Sequence, residues 1–189
     1  GLEWGNYSVN ELSDKGRSMK EGIQTVILGR PNAGKSSLLN AMLGEERAIV
    51  TEVAGTTRDV LEESISLNGL TLNMIDTAGI RETEDVVERI GVERAKEKAQ
   101  QADLILYVAD SSQELDENDR EILHSLGGKK AVLILNKSDL PPIVTAENLK
   151  KRTGEQYPVR SVSARKGNGI ELLEQTIREL FYRGELSFN

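Results

Sequence analysis

The stretch Gly29-Arg30-Pro31-Asn32-Ala33-Gly34-Lys35-Ser36 decides the fold. Its pattern is G-x-x-x-x-G-K-S. Directly before it, Ile23 to Leu28 (IQTVIL) is a short β-branched run of the kind that forms a buried strand. Directly after it, Lys35 to Leu43 sets Leu38, Leu39 and Met42 on one side, as a helix requires. A strand, this loop and a helix in that order make a cradle for phosphate. Gly29 and Gly34 let the backbone wrap closely and aim N–H groups at phosphate oxygens. The helix N-terminus adds partial positive charge. Lys35 supplies a point charge at the β- and γ-phosphates, and the Ser36 hydroxyl can ligate Mg²⁺. Asn32, Ala33, Gly34, Lys35, Ser36 and Ser37 are therefore the expected contact residues of the cradle.

Working outward, the chain alternates strands and helices. Glu45 to Arg58 lacks a stable period and reads as a loop. Asp59 to Leu67 and Thr71 to Ile75 read as strands joined by Asn68-Gly69, a pair suited to a type I′ hairpin turn because both positions tolerate positive φ. Asp76 to Glu84 reads as loop and Asp85 to Gln101 as a helix. Leu104 to Ala109, Ala131 to Leu135 and Pro158 to Val162 read as further strands. Helices are expected over Glu117 to Leu126, after Thr145, and over Ile170 to Phe181. This order implies an α/β fold: a six-stranded, mostly parallel sheet with one antiparallel edge strand and helices on both faces. One domain is expected over residues 22–182. Residues 1–21 read as a linker or the end of a neighbouring helical domain, with residues 1–5 at a junction, and residues 183–189 as a C-terminal return linker.

Composition narrows the chemistry. The 189 residues carry 24 Lys and Arg against 31 Asp and Glu, a net charge of −7, which argues against a domain that coats nucleic acid. There is no cysteine, so disulfides, thiol nucleophiles and cysteine metal sites are excluded. A single histidine, His124, rules out a multi-histidine metal site. No apolar run approaches the length of a membrane span, and the first residues lack signal-peptide character. These features predict a cytoplasmic protein without a membrane partner.

Three further segments choose the nucleotide. After the strand AVLIL comes Asn136-Lys137-Ser138-Asp139. A carboxylate at Asp139 accepts both N1–H and N2–H of guanine, a donor pair that adenine lacks. Asn136 can tie this segment to the phosphate loop, and the stem of Lys137 can cover the base. Ser163-Ala164 is expected to offer a backbone contact to guanine O6. Asp76-Thr77-Ala78-Gly79 follows the strand LNMI. Asp76 can hold Mg²⁺ through water, and the Gly79 N–H can bond to the γ-phosphate, an interaction that hydrolysis removes. Gly55-Thr56-Thr57-Arg58-Asp59 supplies Thr57 as the expected Mg²⁺ ligand, with Thr56 near the transferring group. GTP and GDP are the nucleotides these segments imply.

In this order and spacing, GRPNAGKSS, GTTRD, DTAG, NKSD and SA resemble the translation-factor-like GTPases. They are most similar to the branch that holds the ribosome-assembly GTPases Era and Der and the tRNA-modification GTPases of the MnmE family. Ala48 to Ala54 before GTTRD, Ile80-Arg81-Glu82-Thr83 after DTAG, and Val87 to Ala95 point to the G domain of the MnmE family. That resemblance implies a Ras-like fold inserted into a longer protein with folate-binding and helical domains. It implies regulation of wobble-uridine modification of tRNA with a flavin-dependent partner, with tRNA contacted mainly by other domains. It also implies Glu88 as the water-polarising catalytic residue beside Lys35, Thr57 and Gly79, because Ile80 stands where many relatives have Gln. In place of an arginine finger it implies K⁺, held by the Asn32 side chain and by backbone carbonyls at Thr51 and Val53, with two G domains meeting face to face. A G domain of the Era or Der type, acting as a GTP-dependent RNA-binding switch, is the alternative.

Overall fold

The strand that feeds the phosphate loop, β1 (Ile23–Gly29), is central in the sheet. The computed structural model of the chain describes residues 22–30, 33–52, 61–67, 69–77, 80, 92–153 and 156–186. β1 pairs in parallel with β4 (Leu70–Met74), Ile23 beside Leu72, and with β5 (Leu104–Asp110), Thr25 beside Leu104. β5 pairs in parallel with β6 (Lys130–Asn136), and β6 with β7 (Val159–Ser161). β3 (Leu61–Leu67) runs antiparallel to β4, with Leu67 opposite Leu70. The two-residue connection ends at Gly69, whose φ of +94° is the positive value expected of a tight hairpin.

The expected architecture holds: the sheet is mostly parallel, with β3 alone running against the rest. The six expected strands are all present, and a seventh is added at the edge. Residues 48–52, read above as loop, form β2 (Ala48–Glu52), which pairs antiparallel with β3 from Ala48 opposite Ile65 to Glu52 opposite Leu61. The sheet order is β2-β3-β4-β1-β5-β6-β7, so β3 is second from the edge and not the edge strand itself. The reason is local and short. Ala48-Ile49-Val50-Thr51 carries three β-branched residues, too few for a clear period, and it satisfies its backbone on the side of β3 away from β4.

Five helices cover the faces among the described residues: α1 (Lys35–Arg47), α2 (Val92–Gln101), α3 (Glu117–His124), α4 (Ala146–Thr153) and α5 (Ile170–Leu186). α1 is regular to Leu43 and breaks at Gly44, where φ is 13° and ψ 146°. Strands buried on both faces send alternate residues to opposite cores. Leu104, Leu106 and Val108 of β5 meet Leu38, Leu39 and Met42 of α1 and Leu173 and Ile177 of α5 in one core. Ile105, Tyr107 and Ala109 meet Ala95 and Ala99 of α2, Ile122 and Leu123 of α3 and Leu149 of α4 in the other. Because β1, β4, β5 and β6 are parallel, the loops that leave them open at one common end of the sheet. No helix among the described residues is long and apolar enough to cross a membrane.

Candidate nucleotide-binding site

The phosphate loop leaves β1 under steric control of two glycines. Gly29 has φ +153°, and a Cβ there would lie 2.3 Å from the Val108 carbonyl oxygen of β5. Gly34 has φ +98°, and a Cβ there would lie 2.0 Å from Asn136 Nδ2. Only glycine lets the loop close so tightly against both strands. Arg30 O accepts from Ala33 N–H at 3.2 Å, and Gly34 O accepts from Leu38 N–H at 2.9 Å to start α1. Lys35 is 5% exposed and donates from Nζ to Gly29 O at 2.9 Å. Its ammonium is therefore folded back over the loop. Ser36 and Ser37 are half-buried in the first turn of α1, and Ala33 is buried. Asn32 lies outside the described residues.

The end of β6 is tied to this loop by one side chain. Asn136 Nδ2 donates to Ala33 O at 2.9 Å, and Asn136 Oδ1 accepts from Ala164 N–H at 3.0 Å. The link expected between NKSD and the phosphate loop is thus present, and it extends to the Ser163-Ala164 turn. Lys137 has φ +62°, and its Nζ donates to Asp110 Oδ2 at 2.9 Å, which holds the stem across the strand ends. Burial would raise the Asp110 carboxyl, but hydrogen bonds from Lys137 and Ser112 prevail and hold it below the ordinary carboxylate range. Asp139 is exposed. Its Oδ1 accepts from the Ser163 hydroxyl at 3.0 Å, and its Oδ2 lies 3.9 Å from Lys166 Nζ. The Ser163 hydrogen bond, followed by backbone hydrogen bonding, holds the Asp139 carboxyl below its ordinary range. It is a ready acceptor at neutral pH.

Ala164 N–H is engaged by Asn136, and Ser163 N–H donates to Asn168 O at 3.0 Å. The two residues brace the base-reading segment, Ala164 through Asn136 and Ser163 through Asp139.

Asp76 stands just past β4, exposed, with φ +59°, and its carboxylate is ion-paired with Lys98 of α2. The carboxylate is thus engaged by an ammonium in this structure, and a metal ion there would compete with Lys98. Among the described residues no group of three His, Cys, Asp or Glu side chains could hold a metal. The Ser36 hydroxyl and Asp76 carboxylate are nonetheless hard oxygen donors that suit Mg²⁺, which normally completes its shell with water and phosphate. Ile80, in the position after DTAG, is apolar and 6% exposed, packed in the core with α1 and β4. Val53, Thr56, Thr57, Gly79 and Glu88 lie outside the described residues. Thr51 ends up in β2, opposite Glu62, instead of in a loop.

Sequence reading missed the partners that orient these groups. Asp110 for Lys137, Lys98 for Asp76 and Ser163 for Asp139 are side chains brought in from elements far away in sequence. No spacing rule announces such pairs.

A phosphate loop, a braced Asn-Lys-x-Asp segment and an Asp at the end of the hairpin strand share one sheet end. These are the parts of a guanine-nucleotide hydrolase of the P-loop class. The chain belongs to the 50S ribosome-binding GTPase family, whose sequence profile matches residues 24–137. It is 57% identical over 188 residues to the tRNA modification GTPase MnmE of Lachnoclostridium phytofermentans, covering 96% of this chain and 41% of that protein. It is 54% identical to the MnmE of Natranaerobius thermophilus, covering 92% of this chain and 38% of the relative. The chain thus spans less than half the length of these curated relatives. Among solved structures it is similar to the G domain of the T. maritima FeoB iron transporter. That likeness has a TM-score of 0.58 and 28% identity, over 83% of this chain and 97% of that one.

Proposed function

We propose that this domain binds GTP and hydrolyses it to GDP and phosphate as a switch that controls tRNA modification. The observation that carries the reading is the Asn136 bridge, which joins the phosphate loop to the base-reading segment. Lys35 and the N–H groups of residues 33–37, with Asn32, hold the phosphates. Asp139 reads guanine, and the backbone of Ser163-Ala164, the pair that braces Asp139 and Asn136, contacts guanine O6. The Lys137 stem covers the base. Ser36, Thr57 and Asp76, the last through water, hold Mg²⁺, which neutralises phosphate charge when bound. Thr56 and Gly79 attend the γ-phosphate. Residues 22–182 form the G domain, flanked by linkers to other domains.

Ile80 is buried and cannot orient water. We assign that role to Glu88; Asn32 and the carbonyls of Thr51 and Val53 would hold K⁺, which would supply the missing counter-charge when two G domains meet. The likeness to tRNA modification GTPases supports the assignment to tRNA modification. A flavin-dependent partner, and tRNA held mainly by other domains, complete the proposal.

The expected result is turnover that rises with protein concentration in KCl and stays low in matched NaCl. Equal rates in both salts at high protein concentration would remove K⁺ and pairing from the mechanism. Glu88→Ala should lower kcat by about 10²-fold while GDP affinity stays within threefold, since general-base contributions run from about 10² upward. A variant with undiminished kcat would dismiss Glu88.

A second reading, a switch on the ribosome, draws on the family's description as 50S ribosome-binding. GTP-dependent co-sedimentation of the chain with 50S subunits would favour it. No co-sedimentation in either nucleotide state would leave the tRNA reading in place.

A further inference from the structure

We propose that Arg30, the second residue of the phosphate loop, is a positioning residue that clamps the loop from behind onto the start of α3. The inference rests on the reading of this loop as the GTP phosphate cradle. Arg30 Nη1 donates to the Glu114 carbonyl at 2.9 Å and to Asp119 Oδ2 at 3.4 Å. Its Nη2 donates to Gln113 Oε1 at 3.2 Å, and its Nε lies 3.8 Å from Asp116 Oδ2. The guanidinium thus faces β5's exit loop and α3, and its fork is filled by protein acceptors. A planar, multiply bonded arginine fixes geometry in a way a single ammonium cannot.

The far side of the clamp is itself rigid. Asp116 caps α3, and its side chain accepts from Asp119 N–H at 2.9 Å. Asp119 answers by accepting from Asp116 N–H at 3.0 Å, completing a capping box. The Asp119 side chain is only 2% exposed, and its other oxygen accepts from the Tyr107 hydroxyl of β5. A buried carboxylate with this many fixed partners is a firm anchor.

The clamp acts on phosphate through the backbone. Arg30 O closes the turn to Ala33 N–H, and the preceding carbonyl, Gly29 O, holds Lys35 Nζ. Pinning the Arg30 side chain therefore fixes the turn that aims the loop N–H groups and the ammonium. Such preorganisation strengthens binding of the ground state, and it does so for GTP and GDP alike. It leaves the chemical step to other groups.

The test is release of a fluorescent GDP from the 189-residue chain, measured by stopped flow beside steady-state GTP turnover. Arg30→Ala should speed release about tenfold and raise KM by more than it lowers kcat. Arg30→Lys keeps a charge beside Asp119, so its melting temperature should stay within ~3 °C. It cannot span the Glu114 carbonyl and the Gln113 amide together, so release should still be about threefold or more faster. Leu149→Ala hollows the core under α4 without touching the loop or the clamp; it should lower the melting temperature and leave release within twofold.

Release within twofold of wild type in both Arg30 variants would overturn the clamp. So would Leu149→Ala accelerating release as much as Arg30→Ala, which would mean general loosening. A fall in kcat with unchanged release would place Arg30 at the reacting groups and also overturn it. If Arg30→Ala fails to fold, Arg30→Lys decides. Wild-type chain that binds no GDP would defeat the GTP reading and the clamp together, whereas normal wild-type binding with unaltered variants defeats the clamp alone.

Discussion

Asp139→Asn is expected to exchange guanine for xanthine. The carboxylate presents two acceptors toward the N1–H and N2–H donors of guanine. An amide presents one acceptor and one donor, and the donor opposes N2–H. Xanthine carries a carbonyl at C2, which accepts from that same amide. The site is built to hold the group in one pose: the Ser163 hydroxyl binds Oδ1 at 3.0 Å, and Lys166 Nζ stands 3.9 Å from Oδ2. Sites that pair a substrate's polar groups reject analogues strongly, because the wrong base leaves buried partners unmatched. GDP affinity should fall by about 10³-fold and XDP affinity should rise by a comparable factor. Asp139 is exposed, so the melting temperature should hardly move. Competition of GDP and XDP against a fluorescent nucleotide measures the exchange. An unchanged GDP preference would remove Asp139 from base recognition.

Gly34→Ala is expected to abolish nucleotide binding by a different route. The new Cβ would sit 2.0 Å from Asn136 Nδ2, at a backbone with φ +98°. The left-handed backbone costs about 1–2 kcal/mol for an L residue. The collision costs more, because Asn136 is 3% exposed and both ends of its amide are bonded. Displacing it strands Ala33 O and Ala164 N–H and separates the loop from the base segment. A nucleotide affinity loss of at least about 10²-fold follows from losing that alignment. Gly128→Ala is the matched control. It has φ +82° and nothing within 4 Å of its Cβ, so it should lose only about 1 kcal/mol of stability and bind GDP normally. Titration calorimetry with GDP on both variants checks the contrast. Normal GDP binding by Gly34→Ala would refute the packing argument.

Much of this was readable from residues alone. The phosphate loop carries its own proof in the strand before it and the helix after it. The alternation along β5 and β6 was visible as apolar runs, and their division between two cores follows from a period of two. The Asn136 link was foreseeable because NKSD must meet the loop. β2 was not, since a five-residue strand owes its existence to β3 beside it and not to a pattern of its own. The Arg30 clamp was equally hidden. The Asp116–Asp119 capping box can be seen in DEND, but nothing in it says that a residue 89 positions away will complete it. The commitment of the Ala164 N–H to Asn136 is likewise a fact of three dimensions.

The Asn136 bridge also sets a timetable for the newly made chain. Its amide reaches back 103 residues to Ala33 and forward 28 residues to Ala164. Domains fold largely as units while the chain emerges amino end first. A polypeptide still lacking Ala164 has its phosphate loop and its Asp139 but not the brace that aligns them. Tight nucleotide retention thus arises only once the last strand of this domain and its turn have emerged and docked. Occupancy by GTP or GDP then stabilises the finished domain by mass action, at cellular nucleotide concentrations, and marks it as complete.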